Sequence, residues 1–277
     1  MTADEPDGAA LVVRAYGTRG PRVVVLHGGP GAPGGMAPVA RELADALRVL
    51  EPLQRSSGGE PLTVARHVED LHGVIRSHCG PERPALVGHS WGAMLALAYA
   101  ADHPGAAASL ALVGCGTFDK AARRRLEETR ASRLSDDVKR RVRRLAEESD
   151  AGAAEAIHQL TSVADNYDLI ETPEDPPGQE IPFDARACRE TWDDMVRLQE
   201  EGVYPAAFAR IRAPAVMLHG AYDPHPGRMI FDGLRPFLPH LEYREWERCG
   251  HEPWRERAAR AGFFAALREW LARHSGG

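Results

Sequence analysis

The stretch Leu86-Val87-Gly88-His89-Ser90-Trp91-Gly92 decides the reading of this chain. Within it, residues 88–92 fit Gly-x-Ser-x-Gly, a pattern in which a serine sits on a tight turn between a strand and a helix. The neighbouring residues supply that setting. A short apolar run, residues 85–87, precedes the turn as a buried strand would, and an alanine-rich, helix-favouring run, residues 93–101, follows it. A Cβ at either flanking glycine would crowd the adjoining strand and helix. The strained turn pushes Ser90 clear of the sheet, where a base can reach its hydroxyl. Without this setting the pattern is a glycine-rich turn with an incidental serine; with it, Ser90 is the candidate nucleophile.

Strands and helices alternate around this turn. Residues 11–16 and 22–26 read as strands, 37–47 as a helix, 48–53 as a strand and 63–78 as a helix. Beyond the turn come a strand at 108–113, and later a strand at 215–219, a helix at 227–238, a strand at 241–246 and a helix at 258–274. Continuous apolar strands alternating with helices imply an α/β fold, a mostly parallel sheet of about seven strands covered on both faces.

Residues 117–205 interrupt the alternation. They hold no convincing strand but several amphipathic helical faces: Val138, Val142 and Leu145 behind a Ser135 N-cap; Ala153, Ile157, Leu160 and Ala164; and Cys188, Trp192 and Met195. The Pro/Gly-rich run at 172–178 reads as irregular. A helical insertion at this point sits over the carboxyl ends of the strands, where open α/β sheets bind ligands, so a cap is expected. The expected organisation is a core of residues 1–116 and 206–277 with a helical cap of residues 117–205. Basic residues crowd the insertion (Arg123–Arg125, Arg130, Arg133 and 139–144), but acidic partners lie four residues away, as in Arg124 and Glu128 or Asp137 and Arg141. That spacing describes a solvated helix face and outweighs a nucleic-acid surface.

The bulk composition narrows the function further. The chain has 277 residues, 43% hydrophobic and 27% charged, with a net charge of −6, so no global field attracts nucleic acid or an acidic membrane. No basic-then-apolar leader opens it, and no apolar run approaches the roughly 20 residues of a membrane span. Cys79, Cys115, Cys188 and Cys249 show no C-x-x-C spacing, which fits free thiols in a reducing cytoplasm. His251-Glu252 lacks the second histidine of an H-E-x-x-H site, and neither a metal nor another cofactor is expected. The expected partner is a small-molecule substrate.

A serine hydroxyl needs a base, and the base needs an acid to fix its tautomer. Asp223 follows the strand at 215–219 and His251 follows the strand at 241–246, giving the chain order Ser, Asp, His that suits this fold type. Asp119 is a rival acid, and His225 lies beside Asp223 but too near in sequence to be an ordinary base for it. His27, His67, His72, His89 and His219 read as hydrogen-bonded structural residues. For the oxyanion, the N–H after the nucleophile belongs to Trp91, and the loop His27-Gly28-Gly29-Pro30-Gly31 offers Gly29 as the second donor.

His27-Gly28-Gly29-Pro30-Gly31 together with Gly-x-Ser-Trp-Gly resembles the proline iminopeptidase branch of the α/β-hydrolases. Gln54-Arg55-Ser56-Ser57-Gly58 is similar to a further segment of that branch, and residues 90–113 continue the likeness. The resemblance implies the α/β-hydrolase fold and a Ser90–His251–Asp223 triad. The chain departs from it at Leu53, Ser56 and His89, and the tryptophan- and glutamate-containing cap segment that holds a peptide's free amine in that branch has no recognisable counterpart. An esterase or amidase is therefore the leading expectation and an aminopeptidase the alternative, with a non-catalytic ligand binder behind both. An amine would need an anionic anchor, for which Asp165, Asp168 and Glu171 are candidates, with Glu190, Asp193 and Asp194 further along the insertion.

Overall fold

Side-chain alternation within the strands sets how the layers stack. In β2 (Arg22–Leu26), Val23 and Val25 face one side of the sheet and Val24 and Leu26 the other. The same alternation runs through β4 (Ala85–His89), β5 (Ser109–Val113) and β6 (Ala215–Gly220), so these strands are mostly apolar and buried on both faces. The computed structural model describes residues 11–31, 33–148, 151–170 and 183–274. The sheet has seven strands in the order β1-β3-β2-β4-β5-β6-β7, where β1 is Val13–Tyr16, β3 is Arg48–Pro52 and β7 is Glu242–Trp246. Only β1 runs antiparallel to its neighbour; the other pairings are parallel.

One face is covered by α1 (Ala37–Leu43) and α9 (Arg260–His274), through Met36, Val39, Leu43, Phe263, Leu267 and Trp270. The other is covered by α2 (Val64–Cys79), α3 (Trp91–Asp102) and α8 (Gly227–Leu234). Helix α3 is buried on nearly every side, which matches its apolar run from Trp91 to Ala101, chiefly alanine and leucine. The expected elements are present with shifted ends. The strand at 11–16 begins at Val13, and the helices expected over 37–47 and 227–238 end at Leu43 and Leu234.

Among the described residues, four α-helices lie between β5 and β6 in the chain: α4 (Lys120–Arg133), α5 (Asp136–Glu148), α6 (Ala151–Ser162) and α7 (Ala185–Glu200). Three of them match the expected amphipathic faces. The irregular run expected at 172–178 lies outside the described residues. Helix α7 is tied to the core by its acids. Asp184 accepts from Ser57 N–H (2.7 Å), Glu190 from Leu62 N–H (2.9 Å) and Asp194 from Val64 N–H (2.8 Å). Asp119 is the N-cap of α4, accepting from the N–H groups of Ala121 and Ala122 at 2.8 Å each, so it is committed elsewhere and is not the acid of the site.

The charge pairing along α4 and α5 differs from the expected spacing. Arg124 and Glu128 pair at four residues (3.7 Å), but Asp136 pairs with Lys139 and Asp137 with Arg140, at three. Arg130, partly buried, turns inward to Asp165 and joins the site described below. Among the described residues, no helix is long and apolar enough to cross a membrane.

The turn between β4 and α3 depends on two close approaches. A Cβ at Gly88 would lie 2.2 Å from Gly92 O, and one at Gly92 would lie 2.2 Å from Leu26 O. Both contacts are with backbone, which cannot swing aside. Gly88→Ala or Gly92→Ala should therefore destabilise the fold by about 1–3 kcal/mol or more in urea unfolding. Gly73, in α2 with nothing near its missing Cβ, provides the contrast. Gly73→Ala should stabilise by about 0.5–1 kcal/mol. A neutral outcome at Gly88 and Gly92 would contradict this packing.

Candidate active site

Ser90 has φ 53° and ψ −117° and is the only non-glycine residue with positive φ among the described residues. Such a backbone costs on the order of 1–3 kcal/mol and persists only where surrounding structure holds it. Ser90 N–H donates to Val113 O (2.9 Å) at the end of β5, and Ser90 O accepts from Ala93 and Met94 to open α3. The first N–H groups of a helix have no partner within it, and Trp91 N–H, directly after the serine, is one of these.

The loop after β2 closes on the same point. A Cβ at Gly28 would come within 3.2 Å of Ser90 Cβ. Gly29, at φ 116°, adopts a backbone that other residues avoid. Gln54 ties this loop to the elbow: its N–H donates to His27 Nε2 (3.0 Å), its amide donates to His27 O (3.0 Å), and its carbonyl accepts from the Trp91 indole (2.7 Å). His27 Nδ1–H donates to Gly28 O (2.8 Å), and burial holds this imidazole down to about 4, so it stays neutral in that role.

Asp223 and His251 meet at the carboxyl ends of β6 and β7. His251 Nδ1–H donates to Asp223 Oδ2 at 2.7 Å. That bond fixes the imidazole tautomer and leaves Nε2 with a lone pair. Burial disfavours the His251 imidazolium, but the charge and hydrogen bond of Asp223, with Asp165 beyond, raise its pKa above the ordinary value. Burial would likewise raise the Asp223 carboxyl; the imidazoles of His251, His225 and His219 hold it well below the usual range.

Three features of this cluster were not read from the sequence. His225, set aside above as too near Asp223 in sequence, is bonded to it all the same: its Nδ1–H donates to Asp223 Oδ1 at 2.8 Å. Arg130 forms a two-pronged pair with Asp165, Nε to Oδ1 at 2.7 Å and Nη2 to Oδ2 at 2.5 Å. Glu256, fully buried, accepts from the N–H groups of Tyr167, Asp168 and Gly250 at 2.7, 2.7 and 2.8 Å. Together with the His251 N–H to Asp165 O bond (2.9 Å), it clamps residues 165–168 onto the histidine loop. His89 adds a further tie, donating from Nε2 to His251 O (3.0 Å). Only His225 had a local signal. An aspartate readily accepts the main-chain N–H two residues on, and Asp223 does so from His225 at 2.9 Å, which brings the ring to the same carboxylate.

The candidate amine anchors are dispersed. Asp165 is buried against Arg130, Asp168 is about half exposed and paired with Arg257 at 3.1 Å, and Glu171 lies outside the described residues. Asp223, His225 and His251 are the one set of side chains at metal-ligand spacing among the described residues. Their N···O separations of 2.7 and 2.8 Å are hydrogen bonds, closer than the roughly 3.3 Å between ligand atoms that lie about 2 Å from a tetrahedral ion.

Glu256→Gln replaces one accepting oxygen with a donor, leaving at least one of three buried N–H groups facing another donor. A loss of about 1–3 kcal/mol is expected in thermal or urea unfolding. Turnover should fall with it, because the clamp holds the His251 loop. Unchanged stability would show that residues 165–168 do not depend on this carboxylate.

Comparison with known proteins agrees with this fold. The alpha/beta hydrolase family model matches residues 23–266. A proline iminopeptidase of Lactobacillus helveticus is 26% identical over 293 residues, covering 92% of this chain and 90% of its own. Two solved structures share the fold at 20% identity. VinJ superposes with a TM-score of 0.70 over 95% of this chain and 94% of its own. An esterase from Thermogutta terrifontis does so with a TM-score of 0.63 over 96% and 94%. The chain belongs to the alpha/beta hydrolase family, with proline iminopeptidases among its sequence relatives.

Proposed function

We propose that this protein is a serine hydrolase that cleaves a small-molecule ester or amide through an acyl-enzyme on Ser90. The observation that carries the reading is the strained elbow: Ser90 alone among the described non-glycine residues is held at positive φ, directly after His89, whose ring is bonded to the His251 main chain. Strain of this kind is retained where it aims a side chain.

The chemistry follows from the tautomer. His251 Nε2 takes the Ser90 Oγ proton as Oγ attacks the carbonyl carbon, and the carbonyl oxygen becomes an oxyanion that accepts from the N–H groups of Trp91 and Gly29. The imidazolium then gives its proton to the leaving oxygen or nitrogen as that bond breaks. Water attacks the acyl-enzyme by the same route, returning Ser90 and the acid product. Asp223 stays ionised throughout and stabilises the imidazolium. No cofactor enters these steps. Residues 117–205 act as a cap over the core of residues 1–116 and 206–277, supported by the ties from α7 to residues 57–64. The four unpaired cysteines support a reducing compartment such as the cytoplasm.

Ser90→Ala or His251→Ala should lower kcat by roughly 10⁴–10⁶ with the fold intact, and Asp223→Asn by somewhat less, measured on the best p-nitrophenyl ester. Because His251 must be neutral to accept the proton and its conjugate acid is favoured, kcat/KM should rise with pH through a value above about 6.5. Near-normal turnover by His251→Ala would end this assignment.

A second reading, an aminopeptidase, is favoured by the relatives named above. A free ammonium in a water-poor cleft needs an unengaged carboxylate, since an unpaired buried charge costs several kcal/mol. Asp165 and Asp168 already carry arginine partners. Neutral acyl esters should therefore be turned over better than substrates with a free α-amine. Acylating the amine of an amino-acid ester should leave kcat/KM unchanged or raise it. A hundredfold loss, about 2.7 kcal/mol, would reverse the order of the two readings.

A further inference from the structure

Two imidazoles share the Asp223 carboxylate. Oδ2 accepts from His251 Nδ1–H (2.7 Å), while Oδ1 accepts from both the main-chain N–H (2.9 Å) and the Nδ1–H (2.8 Å) of His225. A carboxylate only accepts, so both rings carry their proton on Nδ1 and keep a lone pair on Nε2. The rings stack with centroids 4.4 Å apart and 14° between planes. His219 closes the shell, donating from Nε2 to His225 O (2.9 Å) with the same nitrogen 3.4 Å from Asp223 Oδ2.

We propose that His225 is a positioning residue: by holding the far oxygen of Asp223 and stacking on His251, it fixes the geometry of the acid–base pair and tempers the carboxylate's grip on the imidazolium. This inference rests on the assignment of His251 and Asp223 as base and acid. Two donors on Oδ1 from one residue stop the carboxylate rotating about its Cβ–Cγ bond, so Oδ2 stays on His251. Each hydrogen bond given to Oδ1 also draws charge from the carboxylate. Removing the ring donor concentrates that charge on Oδ2 and favours protonated His251.

His225 is suited to this role because it stays neutral. Burial brings its pKa down to about 4 against the pull of Asp223, and a cation stacked on imidazolium would be repelled. The other charged or titratable groups around His251 come from several elements. His89, at the end of β4, has its ring centroid 4.6 Å away and is kept neutral by burial. Asp165, following α6, favours the imidazolium and Arg130, from α4, opposes it. Glu252 follows in the same loop and pairs with Arg255. The Cys115 thiol after β5 is held protonated by burial and by Asp223. Among the described residues, none of these gives a hydrogen bond to Asp223.

The test compares kcat/KM–pH profiles of the full-length protein, with ¹⁵N-histidine NMR of the wild type. His225→Phe keeps the stacked ring and loses the donor; His225→Asn keeps a donor near Nδ1 and loses the ring. His225→Phe should move the acid limb up by about half to one pH unit and lower kcat roughly tenfold with KM little changed. His225→Asn should bring the limb back toward the wild type. In the wild type, His225 should remain neutral with its proton on Nδ1 while His251 titrates. An unmoved limb in folded His225→Phe, an equal shift in His225→Asn, or a wild-type His225 that titrates alongside His251 would overturn the proposal. The NMR measurement decides it even where His225→Phe fails to fold. Ser90→Ala and His251→Ala assayed in parallel separate the two failures: retained activity there ends the catalytic assignment, whereas lost activity with an unmoved limb ends only the role of His225.

Discussion

Asp223 is a carboxylate with its side chain wholly out of water, and the arrangement of the site follows from that one fact. A buried charge is tolerated only when its oxygens are met by donors. Here the donors are a main-chain N–H and the Nδ1–H groups of two histidines, with a third histidine close by. Each donor fixes a tautomer, and the tautomer of His251 decides what its outer nitrogen can do. The network extends outward from there. His251 O accepts from His89, the residue before Ser90, and His251 N–H donates to Asp165 O in the segment that Glu256 clamps. His251 is thus held from the elbow, from Asp223 and from the insertion at once.

The elbow itself relies on the sheet. Parallel strands β4 and β6 carry Ser90 and Asp223 on loops at the same edge, and Ser90 N–H is bonded to Val113 O on β5 between them. The strain at Ser90 is sustained because Gly88, Gly92 and Leu26 O are packed to backbone contact, so the turn cannot relax without opening β2, β4 and α3 together. Gln54 serves the matching purpose on the oxyanion side. It binds His27 and Trp91 at once and sets the two proposed N–H donors in a fixed relation.

Much of this was legible from local pattern. Gly88, Ser90 and Gly92 carry the elbow in five consecutive residues, and apolar runs such as residues 22–26 and 215–219 show their burial directly. The order of Ser90, Asp223 and His251 along alternating strands and helices was equally readable. What escaped depends on partners far apart in sequence. Arg130 sits in a basic run and looks like one more solvated arginine; only folding brings it to Asp165, 35 residues on. Glu256 carries no motif, because its three partners are main-chain groups that any sequence possesses. Glu190 and Asp194 looked like available anions, yet they cap N–H groups 128 and 130 residues earlier in the chain; Asp184, which carried no signal, does the same at 127. Helix spacing was misjudged for Asp136 and Asp137 because pairs at three and at four residues share one face.

The central claim is that Ser90 is a nucleophile activated in place rather than a serine on a ligand-binding turn. Treating the full-length protein with a fluorophosphonate and mapping the adduct by mass spectrometry tests this most directly. The account predicts one covalent adduct, on the peptide carrying Ser90, lost in Ser90→Ala and greatly slowed in His251→Ala. Ser90 left unmodified in folded protein, or labelled as fast without His251 as with it, would contradict it.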